Sequence, residues 1–129
     1  MKRIKSISDK RLIVEGLVNG KAANFLVDTG ASLALLDYGQ RRKYDLAVGK
    51  PFHGTIVGAG GEMRNVKHCN TFVNLEDKVI PQFLLADIGG VVESIRRETG
   101  IEILGIISLP QMSIIGMNID VNSSEFWFE

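Results

Sequence analysis

The sequence predicts a single all-β domain carrying one or two short helices. Three observations lead there. The chain has 129 residues, a length suited to one domain with its own core. Apolar runs of strand length recur along it, parted by turn dipeptides such as Asn19-Gly20 and by the polar trio Glu76-Asp77-Lys78. Glycine gathers in the middle of the chain, at positions 54, 58, 60 and 61, where a hairpin tip suits it better than a helix does.

In order, Arg11 to Val18 and Ala22 to Val27 are rich in Leu, Ile, Val and Ala, with Asn19-Gly20 between them, the signal for a type I′ hairpin. That hairpin delivers Asp28 at the end of its second strand. A carboxylate at the end of a buried strand costs several kcal/mol to desolvate unless it is paired or hydrogen-bonded, on the scale of about that size for buried ions. Asp28 is therefore either a satisfied structural acid or a reactive one. Thr29 adds a hydroxyl, and Gly30 lets the backbone turn sharply. Leu33 to Leu36 read as a short strand, and Asp37 as the N-cap of a short helix to about Leu46, weakened by Gly39.

From Pro51 the glycines mark a flexible hairpin framed by Thr55-Ile56-Val57 and by Met63-Arg64-Asn65-Val66. A phosphate-binding loop would need Lys-Ser/Thr and a helix after Gly61, and neither follows. Val66 to Leu75 and Val79 to Ala86 form a further strand pair. Gly89-Gly90 breaks the chain, Val91 to Thr99 suits a helix closed by Gly100, and Ile103-Leu104-Gly105 follows. Ser108-Leu109-Pro110 starts a helix to about Met112, after which Ser113 to Val121 and Glu125 to Phe128 read as strands around Asn122-Ser123-Ser124.

Composition narrows the function classes. Lys plus Arg and Asp plus Glu each total 15, so the formal charge is zero, and no dense basic run offers a nucleic-acid surface. Arg41, Arg42 and Lys43 suit a solvated face. The N-terminal Met1-Lys2-Arg3-Ile4-Lys5 lacks the apolar segment of a signal peptide, because Asp9, Lys10 and Arg11 interrupt it. The uncharged stretch Ile103 to Ile119 is short for a bilayer and is interrupted by Pro110 and glycines, so it reads as core rather than membrane. A single Cys69 cannot make an internal disulfide, which fits a reducing compartment; a cytoplasmic location is expected. His68 and Cys69 adjoin on a strand and point to opposite faces, so they make no catalytic pair, and with His53 they show no metal-ligand spacing. Ser32 has no obvious partner base. No metal or cofactor is expected.

The run Phe25-Leu26-Val27-Asp28-Thr29-Gly30-Ala31-Ser32, with Ile103-Leu104-Gly105 downstream, resembles the paired half-signatures of the retropepsin-like aspartic proteases, the retroviral-type, single-lobe branch. The resemblance covers the chain from about Leu12 onward. It implies a closed acid-protease-type β-barrel and an aspartic endopeptidase with Asp28 as the catalytic acid. Thr29, Gly30, Ala31 and Ser32 would form the supporting loop. Val57, Gly58, Ala59, Gly60 and Gly61 would form a flap over a peptide or protein substrate, and Ile103, Leu104 and Gly105 the second half-signature.

Hydrolysis by this chemistry needs two carboxyls close enough to share a proton, yet the chain has one Asp-Thr-Gly. Asp87-Ile88-Gly89 lacks the hydroxyl and reads as a loop acid. A symmetric homodimer is therefore expected, with two Asp28 carboxyls on its axis and the terminal strands, Lys2 to Ile7 and Glu125 to Phe128, as candidates for an interface sheet. Phe126-Trp127-Phe128 either seal that interface or close the monomer core. Ala31 stands where two-lobed enzymes carry a hydrogen-bonding serine, which favours a mildly acidic working pH. Retroviral enzymes tend to have Arg, and bacterial relatives Met-Asp-Phe, just past the second glycine; here Ile106-Ile107-Ser108 follows. The rival reading is a catalytically silent dimeric β-domain that binds peptides or partner proteins.

Overall fold

The computed structural model describes residues 2–54, 56–58, 61–63 and 65–129. After β1 (Ile4–Lys5), β2 (Ile13–Val18) and β3 (Lys21–Asp28) pair as the expected antiparallel hairpin, Ile13 facing Leu26 and Val18 facing Lys21. Asn19 and Gly20 both take positive φ, 52° and 79°, as the mirror-image turn requires. Successive residues of β3 enter opposite layers: Phe25 and Val27 join one apolar cluster, Leu26 the other. Burial on both faces explains why this stretch reads as an apolar run rather than an alternation.

β4 (Leu35–Asp37) leads into a single 3-10 turn, Tyr38–Gln40, where a helix to about Leu46 was expected. Asp37 caps it as foreseen, its Oδ1 accepting the Gly39 N–H at 3.2 Å. The helix goes no further: Gly39 lies inside it, at a cost of about 1 kcal/mol relative to Ala, and Asp45 sits at φ 53°, outside the helical range. Arg42 and Lys43 are exposed, while Arg41 stacks 4.0 Å above the Tyr38 ring.

β5 (Val48–Pro51), β6 (Ile56–Gly58), β7 (Gly61–Met63), β8 (Lys67–Cys69), β9 (Val73–Leu75), β10 (Lys78–Ile80) and β11 (Leu84–Ala86) follow. The two strands expected over Val66 to Ala86 are each broken in two. Pro81, which has no N–H to give a ladder, lies at one break. The rungs on either side are out of step by one residue, with Val73 facing Ile80 and His68 facing Leu84. With β12 (Gly105–Ser108), the large sheet has the order β10-β9-β2-β3-β12-β4-β11-β8-β5. β8 and β9 stand far apart in that order, yet three residues join them. The sheet must therefore curl back on itself, giving the acid-protease-type half-barrel.

Before β12, α1 (Gly89–Thr99) begins two residues earlier than expected and ends as expected, the Gly100 N–H reaching the Arg96 carbonyl at 2.8 Å. After it, α2 (Leu109–Ile115) runs about a turn past Met112, because Met112 and Ile115 both bury into the core. Ser113 to Gly116 are consequently helix and cap, and the strand expected there shortens to β13 (Met117–Asp120). β14 (Glu125–Phe128) closes a small sheet of order β1-β14-β13. Phe126 is wholly buried in the main core, whereas Trp127 and Phe128 are half-buried, with Arg3 stacked 4.2 Å from the Trp127 ring. The first aromatic of the trio thus closes the monomer. Ile103 to Ile119 divides among β12, α2 and β13; no helix among the described residues is long and apolar enough to cross a membrane.

The two clusters lie on opposite faces of the central strands. Val14, Phe25, Val27, Leu36, Ile107, Met112 and Phe126 fill one. Ile13, Leu26, Leu35, Ile106 and the α1 residues Val92 and Ile95 fill the other, with Ile56 from the base of the β6–β7 hairpin.

Candidate active site

The site follows from one topological fact: β12 inserts between β3 and β4, which are consecutive in the chain. It runs parallel to β3, Gly105 beside Phe25 and Ser108 beside Asp28, and antiparallel to β4, Gly105 beside Leu36. The connection from β3 to β4 must then pass over the far end of β12. That connection is Thr29 to Ala34. It is held there by the Leu109 N–H, which donates to the Ala31 carbonyl at 3.2 Å.

Asp28 stands where this loop leaves the sheet, and it is half-buried. Its Oδ1 accepts the Gly30 N–H at 2.9 Å, and its carbonyl accepts the Ala31 N–H at 3.2 Å, so the turn fixes the carboxyl group. Thr29, Gly30 and Ser32 are exposed, Ala31 is half-buried, and Leu33 is 37% exposed.

The same Asp-X-Gly turn occurs twice more. Asp37 accepts from Gly39 at 3.2 Å and Asp87 from Gly89 at 3.1 Å. The turn is therefore a general way of leaving a strand, and place in the sheet separates the three acids. β4 is antiparallel to β12, and β11 is parallel to β4, so Asp37 and Asp87 end strands that run opposite to β3. Asp37 is buried and also accepts from the Gln40 side chain at 3.0 Å. Asp87 is exposed at the start of α1, a loop acid as its sequence suggested.

Ile103 and Leu104 lead into β12 at the end away from the loop, and Gly105 opens that strand between Phe25 and Leu36. Leu104 donates to the Asn24 carbonyl and accepts from the Asp37 N–H, both at 2.8 Å. Gly105 lies so close to β4 that a Cβ there would fall on the Leu35 carbonyl oxygen. This close approach gives the second half-signature its glycine. Ile106 departs from the retroviral Arg because its side chain enters the layer beneath α1, where a guanidinium would be desolvated.

The expected flap is a two-stranded hairpin, β6 with β7, Ile56 facing Met63 and Gly58 facing Gly61. Ala59 and Gly60 lie outside the described residues. Ile56 anchors its base in the apolar cluster against which Ala31 also packs, so hairpin base and acid-bearing loop share one layer.

Two neighbours of Asp28 escaped the sequence reading. Ser108 lies beside it on β12 and is buried. Arg11 lies on the side of β2: it precedes Leu12, whose carbonyl accepts the Val27 N–H at 2.9 Å, and the charge of Asp28 acts on it. The two-residue turn at Asn19-Gly20 already fixed the β2–β3 register, so the hairpin signal could have revealed that nearness. Arg11 is gripped by Glu98 of α1, its Nε 3.0 and 3.1 Å from the two carboxylate oxygens and its Nη2 3.0 Å from Oε2. The guanidinium is held above its ordinary pKa, chiefly by the Glu98 hydrogen bond and charge and in smaller part by the charge of Asp28. Glu98 is correspondingly held below the usual carboxylate range.

His68 is exposed and Cys69 buried, on opposite faces of β8 as their adjacency required. His68 packs edge-on to Phe52, ring centres 5.7 Å apart. No group of three His, Cys, Asp or Glu among the described residues could hold a metal ion.

Among solved structures, the chain is similar to EIAV protease complexed with the inhibitor HBY-793, with a TM-score of 0.64 and 20% identity, over 91% of this chain and 99% of that one. It is also similar to the retroviral protease-like domain of Ddi1 from Leishmania major, at 0.60 and 22% over 92% and 88%. A retropepsin-like aspartic protease from Rickettsia conorii matches at 0.61 and 19% over 98% and 97%. At these identities the likeness is one of fold. No curated protein matches the sequence. The aspartyl protease family matches residues 14–119, from the second residue of β2 to the third of β13 and so through both half-signatures; the chain belongs to that family, with a retropepsin-like fold.

Proposed function

We propose that the protein is an aspartic endopeptidase that works as a symmetric homodimer, the Asp28 carboxyls of two subunits meeting on the two-fold axis. The observation that carries this reading is the place of Asp28: half-buried at the end of a central strand, its carboxyl oriented by the Gly30 N–H, on a loop flanked by a hairpin anchored in the same layer. One chain supplies one such acid. Two carboxyls in contact cannot both ionise at modest cost, so the pair keeps one proton between them. The ionised member takes a proton from water as it attacks the peptide carbonyl, while the protonated member donates to the carbonyl oxygen. The tetrahedral adduct then collapses as the amine leaves protonated. No covalent enzyme intermediate forms.

Thr29 would link the two loops across the axis, and Gly30 would leave room for substrate backbone. The β6–β7 hairpin would close as a flap, pairing with an extended peptide and excluding water. Leu33 and Leu109, 37% and 52% exposed beside the loop, are apolar surface that a second subunit would cover. The half-buried Trp127 and Phe128 would extend that contact along the terminal sheet.

Incubation with a mixed peptide library, read by mass spectrometry, is expected to yield new peptide termini. The rate should follow a bell-shaped pH profile with a mildly acidic maximum, the two limbs reporting the two ionisations of the pair. No new termini at any pH, or a maximum near pH 2, would contradict it.

A further inference from the structure

In an antiparallel pair, residues directly opposite each other have Cβ atoms about 5 Å apart and point to the same face. The last ladder pair of β2 and β3 is Ile13 with Leu26, and one further bond, Val27 N–H to the Leu12 carbonyl, carries the strands to within one residue of Arg11 and Asp28; the charge of Asp28 acts on Arg11. A cation and an acid so placed attract each other across the strands. Here the guanidinium is turned instead to α1, where Glu98 holds it with three contacts of 3.0 to 3.1 Å. The face is the right one for this, because Ile13 and Leu26, two residues from Arg11 and Asp28 respectively, pack in the layer that α1 covers. The last turn of α1 is fixed over the site by a second tie, the Lys10 Nζ donating to the Glu98 carbonyl at 3.1 Å.

We propose that Glu98 is a positioning residue for Asp28: by gripping Arg11 it keeps that cation from pairing with the Asp28 carboxyl. Other charged groups on α1 and beside it are engaged elsewhere: Glu102 accepts from the Lys43 side chain and its charge acts on Arg96. Lys10 is engaged at the end of α1. Arg96 and Arg97 are both taken by Glu93, at 2.9 Å and 3.3 Å from their Nε atoms, so neither replaces Arg11 as a partner of Glu98. On the other side of Asp28 stands Ser108, which carries no charge. If the grip is released, the other acid whose charge acts on Arg11 is Asp28. An opposite charge in direct contact lowers a carboxyl's titration midpoint by about 1 to 3 pH units, and an acid clamped in that way cannot serve as the protonated half of a shared-proton pair.

The role in catalysis rests on the hydrolase reading, but the coupling can be read without cleavage. Carbon-13 NMR of the full-length protein follows the Asp28 carboxyl through its titration. In Glu98→Gln the Asp28 midpoint is expected to fall by about one pH unit, and the acid limb of any cleavage profile should move with it. In the Arg11→Met background the same Glu98→Gln change should leave the midpoint where it was, because there is no cation to release. Arg11 and Glu98 are both partly exposed, 49% and 37% by side chain, so the variants should keep the fold, which circular dichroism checks. A midpoint that stays put in Glu98→Gln overturns the proposal. So does a shift of the same size in the Arg11→Met background, which would mean that Glu98 acts on Asp28 directly. A protein that shows the Arg11-dependent shift and cleaves nothing would sink the hydrolase reading and leave the coupling standing.

Discussion

Asp28→Asn is expected to lower peptide cleavage at least about 10³-fold while leaving the fold in place. Positioned proton transfer contributes about 10² to 10⁴ in rate, and here both the base and the acid of the reaction are lost, since the substitution enters both subunits of the dimer. The fold should tolerate it. The amide keeps an oxygen where Oδ1 now accepts the Gly30 N–H at 2.9 Å, and the half-buried position admits a neutral group of the same shape. A change in unfolding free energy within about 1 kcal/mol is expected. Cleavage of the peptide library and a denaturant titration, run side by side, check both halves. Retained cleavage would remove Asp28 from the chemistry. Peptide binding without cleavage in the parent protein, unchanged in Asp28→Asn, would favour the silent binding domain.

Gly105→Ala is expected to destabilise the protein by about 3 kcal/mol or more, without touching a reacting group. The added methyl would meet the Leu35 carbonyl oxygen and, at 2.7 Å, the Leu36 Cδ2. The carbonyl is backbone in a strand paired on both sides, by β12 and by β11, so it cannot swing aside as a long side chain would. Relief requires β12 to move away from β4, and that loosens the arch that carries Asp28. Chemical denaturation should show a lower midpoint; an unchanged midpoint would mean that the close approach at Gly105 does not constrain the fold.

These two positions show what the sequence could and could not disclose. The β2–β3 hairpin was legible because Asn19-Gly20 is a local signal and both flanking runs are apolar. Asp28 was legible because a charge at the end of such a run is costly without a purpose. The need for Gly105 was visible only as a resemblance, since its cause is a contact with Leu35, seventy residues away in the chain. Lengths were the weak point. α2 runs past Met112 because Ile115 finds the core, and the Asp37 helix stops after one turn because Gly39 and the positive φ of Asp45 oppose it. Neither outcome is set by propensity alone. The curl of the sheet was beyond local reading as well, since it follows from β8 and β9 reaching different neighbours across a three-residue gap. Arg11 was missed for another reason: its place near Asp28 was implied by the turn, but its partner lies on a helix that starts at Gly89.

Specific activity measured against protein concentration, beside the dimer fraction from sedimentation at the same concentrations, tests whether one acid per chain is half of a site. Specific activity is expected to fall on dilution in step with the dimer fraction and to approach zero where the chain sediments as a monomer. A specific activity that stays constant down to concentrations at which only monomer is present would contradict the account.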